Sequence, residues 1–110
     1  MSQFIQKIDN LGRREATTLA ASTTQRVFAT LTDAPPTNRQ VLNLTNCDSA
    51  ADLYVRLAAP GEGTPSVLGT DCDLIIPARG SRQLQIGMAI EVWVRHSGGG
   101  AINYSAVELL

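Results

Sequence analysis

From Arg26 to the last residue, apolar side chains recur at every second position in short runs, and each run ends in a cluster of Gly, Pro, Asn, Asp or Ser. That period belongs to strands with one buried face, and it leaves no stretch long enough for an ordinary helix. "RVFATLT" (26–32) is β-branched and aromatic, and "DAPPTN" (33–38) ends it with prolines that cannot donate to a ladder. "QVLNLTN" (40–46) sets Leu42 and Leu44 on one face, and "DSAAD" (48–52) reads as a turn. "LYVRL" (53–57) sends Leu53, Val55 and Leu57 one way and Tyr54 and Arg56 the other. A glycine- and proline-rich loop, "AAPGEGTPSVLGTDCD" (58–73), is long enough to be functional or packed against something. "LIIP" (74–77), "SRQLQI" (81–86), "IEVWVRH" (90–96) and "AINYSAVELL" (101–110) complete the series, with Leu84, Ile86, Ile90, Val92 and Val94 facing inward. About seven short strands at near-regular spacing predict an all-β, antiparallel β-sandwich or small barrel. Immunoglobulin-like and jelly-roll-like topologies both fit.

Residues 1–25 differ. Phe4, Ile5, Ile8 and Leu11 recur at helical spacing, and "GRREATTLAASTTQ" then loses any period. A short amphipathic helix or an extended arm fits equally well, and its apolar side chains need a surface in this chain or a neighbour. The expected organisation is an N-terminal arm over 1–25 and a sandwich domain over 26–110. Removal of residues 2–20 is expected to leave that domain folded. A chain of 110 residues is one domain in size and needs no metal or dense disulfide framework to fold.

Charge narrows the function. The formal net charge is −1, and the nine basic residues are scattered apart from Arg13–Arg14 and Arg79/Arg82, which argues against nucleic-acid binding. No apolar run approaches the roughly 18 residues of a membrane span, and no membrane partner is expected. "MSQFIQKIDNLGRREATTL" lacks the unbroken apolar stretch of a signal peptide, so synthesis in the cytoplasm without the usual export is expected. A Cys47–Cys72 disulfide is conceivable, but two reduced thiols are the plainer expectation. Two cysteines and a distant histidine make no zinc site. No cofactor is expected.

The single histidine and single tryptophan fall in "EVWVRHSGGGAINYS" (91–105). Two alternating runs joined by small residues read as a β-hairpin with a flexible loop. The triple glycine lacks the following helix of a phosphate-binding loop. His96 has no nucleophile-elbow, metalloprotease or paired-carboxylate pattern around it, and a hydrogen-bonded or solvent-facing histidine is expected. No catalytic residue is assigned, and the chain is not expected to be an enzyme. "DCD" (71–73) with Asp48, Asp52 and Glu62 is weakly suggestive of calcium, but the spacing matches no EF-hand and no metal site is assigned. Trp93 and Arg95 on one strand, and Tyr54 and Arg56 on another, lie off the core face. They form either a binding hot spot or a face covered by another part of the chain.

"NLTNCDSAADLYVRLAAPG", "DLIIPARGSRQLQI" and "VWVRHSGGGAINYSAVEL" are similar to small β-sandwich structural proteins of tailed bacteriophages, over roughly residues 40–110. In that family an "N-(S/T)-(N/D)…LYV" strand is followed by a loop, an "I-x-P-x-(G)-x" turn and a terminal "V-x-E-L". The resemblance implies a virion component, of capsid decoration, head-fibre or tail accessory type, and carries no catalytic residues. It implies a homo-oligomer that binds the major capsid protein or other virion proteins. Its expected contacts are Phe4, Ile5, Ile8 and Leu11 of the arm and Tyr54, Arg56, Trp93 and Arg95 of the outer face. A ligand- or carbohydrate-binding module of a tail or receptor-binding apparatus is the alternative.

Overall fold

The computed structural model describes residues 11–32, 35–87 and 89–110. Phe4, Ile5 and Ile8 lie outside the described residues. The strands are β1 (Leu11–Leu19), β2 (Gln25–Arg26), β3 (Val41–Asn46), β4 (Leu53–Ala58), β5 (Leu74–Ile76), β6 (Ser81–Leu84), β7 (Glu91–His96) and β8 (Ile102–Leu109). They form two four-stranded antiparallel sheets, ordered β1-β8-β3-β6 and β2-β7-β4-β5. The chain changes sheet at every connection except β4–β5.

One apolar cluster draws on both sheets, as in a β-sandwich. Leu19, Leu42, Leu44, Ile102, Tyr104 and Ala106 come from the first sheet, and Leu53, Val55, Ile76, Val92 and Val94 from the second. Alternation produces this sorting, because β7 and β8 bury every second residue, as do residues 42–46 of β3 and 53–55 of β4. Each large side chain so removed from water contributes about 1.5–3 kcal/mol. Leu57, Leu84 and Ile86, expected inward, are partly buried against the same cluster.

Three expectations are corrected. The described residues hold eight strands, because residues 11–19 of the expected arm form β1, paired along β8 from Leu11↔Leu109 to Leu19↔Ile102. Its pattern escapes a search for alternating apolar residues because one inward residue is Glu15 and because a bulge breaks the register. Leu11 stands opposite Leu109 and Arg14 opposite Val107, three residues of β1 against two of β8. Gly12 allows that bulge to lie close to β8, since a Cβ there would meet the Glu108 Cβ at 2.8 Å.

The run 26–32 shrinks to the two residues of β2. A turn follows, closed by Ala29 N–H to Arg26 O and Leu31 N–H to Phe28 O. Phe28 takes φ +69°, a left-handed conformation that costs a non-glycine residue about 1–2 kcal/mol. Glu15 helps to hold it, accepting Phe28 N–H at 3.0 Å, Thr30 Oγ1–H at 2.6 Å and Tyr104 O–H at 3.0 Å. Finally, β7 and β8 are no hairpin. They belong to different sheets, and "SGGG" carries the chain across the sandwich. A local reading cannot separate these cases, since small residues suit both turns.

Candidate interaction surface

On the face of the second sheet turned away from the core, two rows run across the strands. Arg26, Trp93 and Arg56 are direct neighbours in one, and Arg95, Tyr54 and Ile75 in the other. The alternation that buries Val92, Val94, Val55 and Leu53 forces these partners outward together. Four of the expected contact residues are therefore joined in one place. Leu11 is not among them. It opens β1 in the other sheet, 68% exposed.

The long loop lies over part of this face. Arg56 Nη1 donates to Ser66 O at 2.8 Å and to Asp71 Oδ1 at 2.9 Å. Gly69 comes so close to the Tyr54 ring that a Cβ would stand 3.0 Å from it. Asp73 ties the loop's end to β4, accepting Leu57 N–H at 2.7 Å while its own N–H reaches Val55 O at 2.8 Å. Val67 is buried outside the main core cluster. Arg56 and Tyr54 thus serve as the loop's footing, while Leu68 and Ile75 remain exposed beside them.

Trp93 is half-buried, and its indole N–H donates to Glu91 Oε1 at 3.2 Å. Glu91 also stands 3.6 Å from Arg26. Among the described residues the Arg95 side chain makes no hydrogen bond or ion pair. The face therefore presents an indole flanked by arginines, one unpaired guanidinium and two exposed aliphatic groups. Aromatic and arginine side chains together are the usual anchors of protein–protein contacts. Arg26, Leu68 and Ile75 were missed in the sequence, because only strand pairing shows which outward residues are neighbours.

His96 is held inside. Its Nε2 lies 3.0 Å from Leu19 O, and its Nδ1 receives Gly98 N–H at 3.0 Å. A carbonyl can only accept, so Nε2 is the donor to Leu19 O, while Nδ1 is the acceptor from Gly98. Ser97, its sequence neighbour, is bonded to Asp52 N. Asp48 accepts Ala50 and Ala51 N–H, which holds its carboxyl below the usual range and forms the turn expected there. Among the described residues no group of three or more His, Cys, Asp or Glu converges as metal ligands. Cys47 and Cys72 are both free, and burial pushes the Cys72 thiol up.

A cavity of about 230 Å³ lies at the border of the sheets, lined by Arg13, Arg26, Phe28, Arg39, Ile90 and Glu91 among others. The Arg39 guanidinium is occupied there by Glu108 at 3.1 Å and by Ile86, Gly87 and Ile90 carbonyls at 3.2, 2.7 and 3.1 Å. These contacts fasten loops to the sandwich. No helix among the described residues is long and apolar enough to cross a membrane. Compared with protein-family models, curated proteins and solved structures, the chain matches none.

Proposed function

We propose that the protein is a bacteriophage virion component that decorates or stabilises the capsid by binding the major capsid lattice as an oligomer. The observation that carries this reading is the strand order, β1-β8-β3-β6 against β2-β7-β4-β5. That is the order of a jelly roll, the double Greek key that recurs in viral capsid domains, and it favours the second of the two topologies left open by the sequence. The step from fold to function is an analogy. The outer face adds a physical reason, since Trp93 and unpaired Arg95 form a small anchor of the hot-spot type. On a lattice many such weak contacts add up to firm attachment.

The test is co-sedimentation with empty shells assembled from the major capsid protein of the phage whose genome would carry this chain. Saturable binding that Trp93→Ala or Arg95→Glu reduces about tenfold or more, in the range of an interface hot spot, is the expected result. No binding by the unaltered chain would sink the capsid reading. Jelly rolls also occur in lectins, so glycan binding that depends on Tyr54 and Trp93 would favour the carbohydrate-binding alternative.

A further inference from the structure

We propose that β1 pairs edge to edge with β1 of a second copy, antiparallel about a two-fold axis at Ala16, so that two four-stranded sheets become one continuous sheet. The strand is an outer strand of its sheet, nine residues long, and among the described residues only its β8 side is paired. The other outer strands are β2, β5 and β6, of two, three and four residues. Short edges resist strand addition, and a long one invites it.

The direction of the free main-chain groups follows from one hydrogen bond. Cys47 N–H reaches Asn103 O at 3.0 Å, so Asn103 turns its main chain toward β3. Alternation turns Ser105 and Val107 the same way and Tyr104 and Ala106 toward β1. Their partners there are Thr17 and Glu15. Arg14, Ala16 and Thr18 consequently present N–H and C=O to the open edge. Of the usual protections, the segment keeps one exposed edge charge, Arg14, which the pairing accommodates. The bulge lies before Arg14, the register from Arg14 to Leu19 is unbroken, and residues 11–19 contain neither Pro nor Lys. Glu15 points inward, but Phe28, Thr30 and Tyr104 satisfy its carboxylate inside the protein.

The edge is complementary to itself. With the axis at Ala16, two alanines face each other, and Arg14 lies opposite Thr18 of the second copy, for about six main-chain hydrogen bonds in all. Arg14 has no hydrogen bond or ion pair among the described residues. The Thr18 hydroxyl, which donates to Asn103 Oδ1 at 2.8 Å, keeps lone pairs to receive it. Moving the axis to Glu15 opposes two carboxylates, which destabilises a pair. Moving it to Thr17 carries Arg14 opposite Ala20, past the end of the strand at Leu19. The pairing rests on β1 alone and not on the capsid reading.

The experiment is the molar mass of the full chain by light scattering, with Ala16→Pro and Ala16→Arg measured alongside thermal unfolding. Proline is tolerated in an edge strand where its missing N–H faced outward, and Ala16→Arg opposes two guanidinium groups at the axis without touching the main chain. The expected result is a self-associated full chain and variants that fold but are monomeric. If Ala16→Pro does not fold, Ala16→Arg alone decides. A monomeric full chain, or an oligomer that survives Ala16→Arg, overturns the pairing. Shell binding reads Trp93 and Arg95 separately, so the two proposals fail independently.

Discussion

Arg13 and Glu108, ninety-five residues apart in the chain, meet through side-chain hydrogen bonds of 2.7 and 2.9 Å. The carboxylate also accepts Arg13 main-chain N–H at 3.0 Å and Arg39 Nη1–H at 3.1 Å. Glu108 is wholly buried, so β1, β8 and the segment before β3 depend on one charge. Glu108→Gln keeps the shape and takes away the buried carboxylate charge that Arg13 and Arg39 share. Removing one partner of such a buried pair costs about 3–5 kcal/mol. Urea unfolding is expected to show a loss of that size, and a loss under about 1 kcal/mol would mark the triad as surface-like.

The same triad sets an acid limit. Burial pushes the Glu108 carboxyl up, but hydrogen bonds and charge from Arg13, with the charge of Arg39, outweigh it and hold the group below 4.5. A folded value below the unfolded one means that the stabilisation is full above about 4.5 and is lost as pH falls through the folded value. Asp48 is depressed in the same direction by main-chain hydrogen bonds. Unfolding free energy measured at descending pH is expected to fall in this window, and Glu108→Gln is expected to flatten part of the slope. An unchanged slope would remove Glu108 from the account.

Tyr104 sets the alkaline limit. Its hydroxyl donates to Glu15 and accepts from Gln25 Nε2 at 3.2 Å. Burial, then the Glu15 charge and hydrogen bond, raise the phenol far above its ordinary 10.0. A raised value favours the protonated form, so its contribution is full below about 10 and is lost as pH rises beyond it. In an absorbance titration one of the two tyrosines should ionise only as the protein unfolds. Tyr104→Phe takes one donor from buried Glu15, at a cost of about 1–3 kcal/mol.

The core strands were legible because Leu42/Leu44, Leu53/Val55 and Val92/Val94 obey a strict period of two. The first strand was not. At its inward positions stand Glu15, Thr17 and Leu19, and what makes Glu15 an interior residue is Tyr104, eighty-nine residues away. Phe28 shows the reverse failure, since a β-branched and aromatic run looks extended while a distant carboxylate holds it in a turn. Outward placement of Tyr54, Arg56, Trp93 and Arg95 followed from alternation, yet their adjacency and the loop's hold on Arg56 depend on strand register. Local pattern carries burial, and long-range pairing carries the site.

His96 and Gly98 form a contact with no room to spare. Gly98 N–H donates to Nδ1, and a Cβ on residue 98 would lie 3.2 Å from Nδ1 and from the Ala51 Cβ. Gly98→Ala is expected to push the sheet-crossing turn away from the ring and break that bond. His96→Ala removes the partner of Leu19 O as well, leaving buried groups unsatisfied at about 1–3 kcal/mol. Hydrogen exchange at the Gly98 amide checks both: each variant should speed it, and unchanged protection would show that the turn is held elsewhere.

Deletion of residues 2–20 separates an arm from a strand. An arm could be removed with the domain left folded. The deletion instead takes all of β1, and with it Leu19 from the core, the Arg13 partner of Glu108 and the Glu15 acceptor of Phe28 and Tyr104. Glu108 would keep one buried cation of two, Tyr104 would lose its acceptor, and the inner flank of β8 would be open to water. Two broken buried polar clusters and a lost core leucine together reach the 5–15 kcal/mol, in round terms about the whole stability of a typical domain. The truncated chain is expected to lose its cooperative thermal transition and dispersed amide spectrum. A truncated chain that still unfolds cooperatively would show that seven strands suffice and that β1 is an attachment to the sandwich.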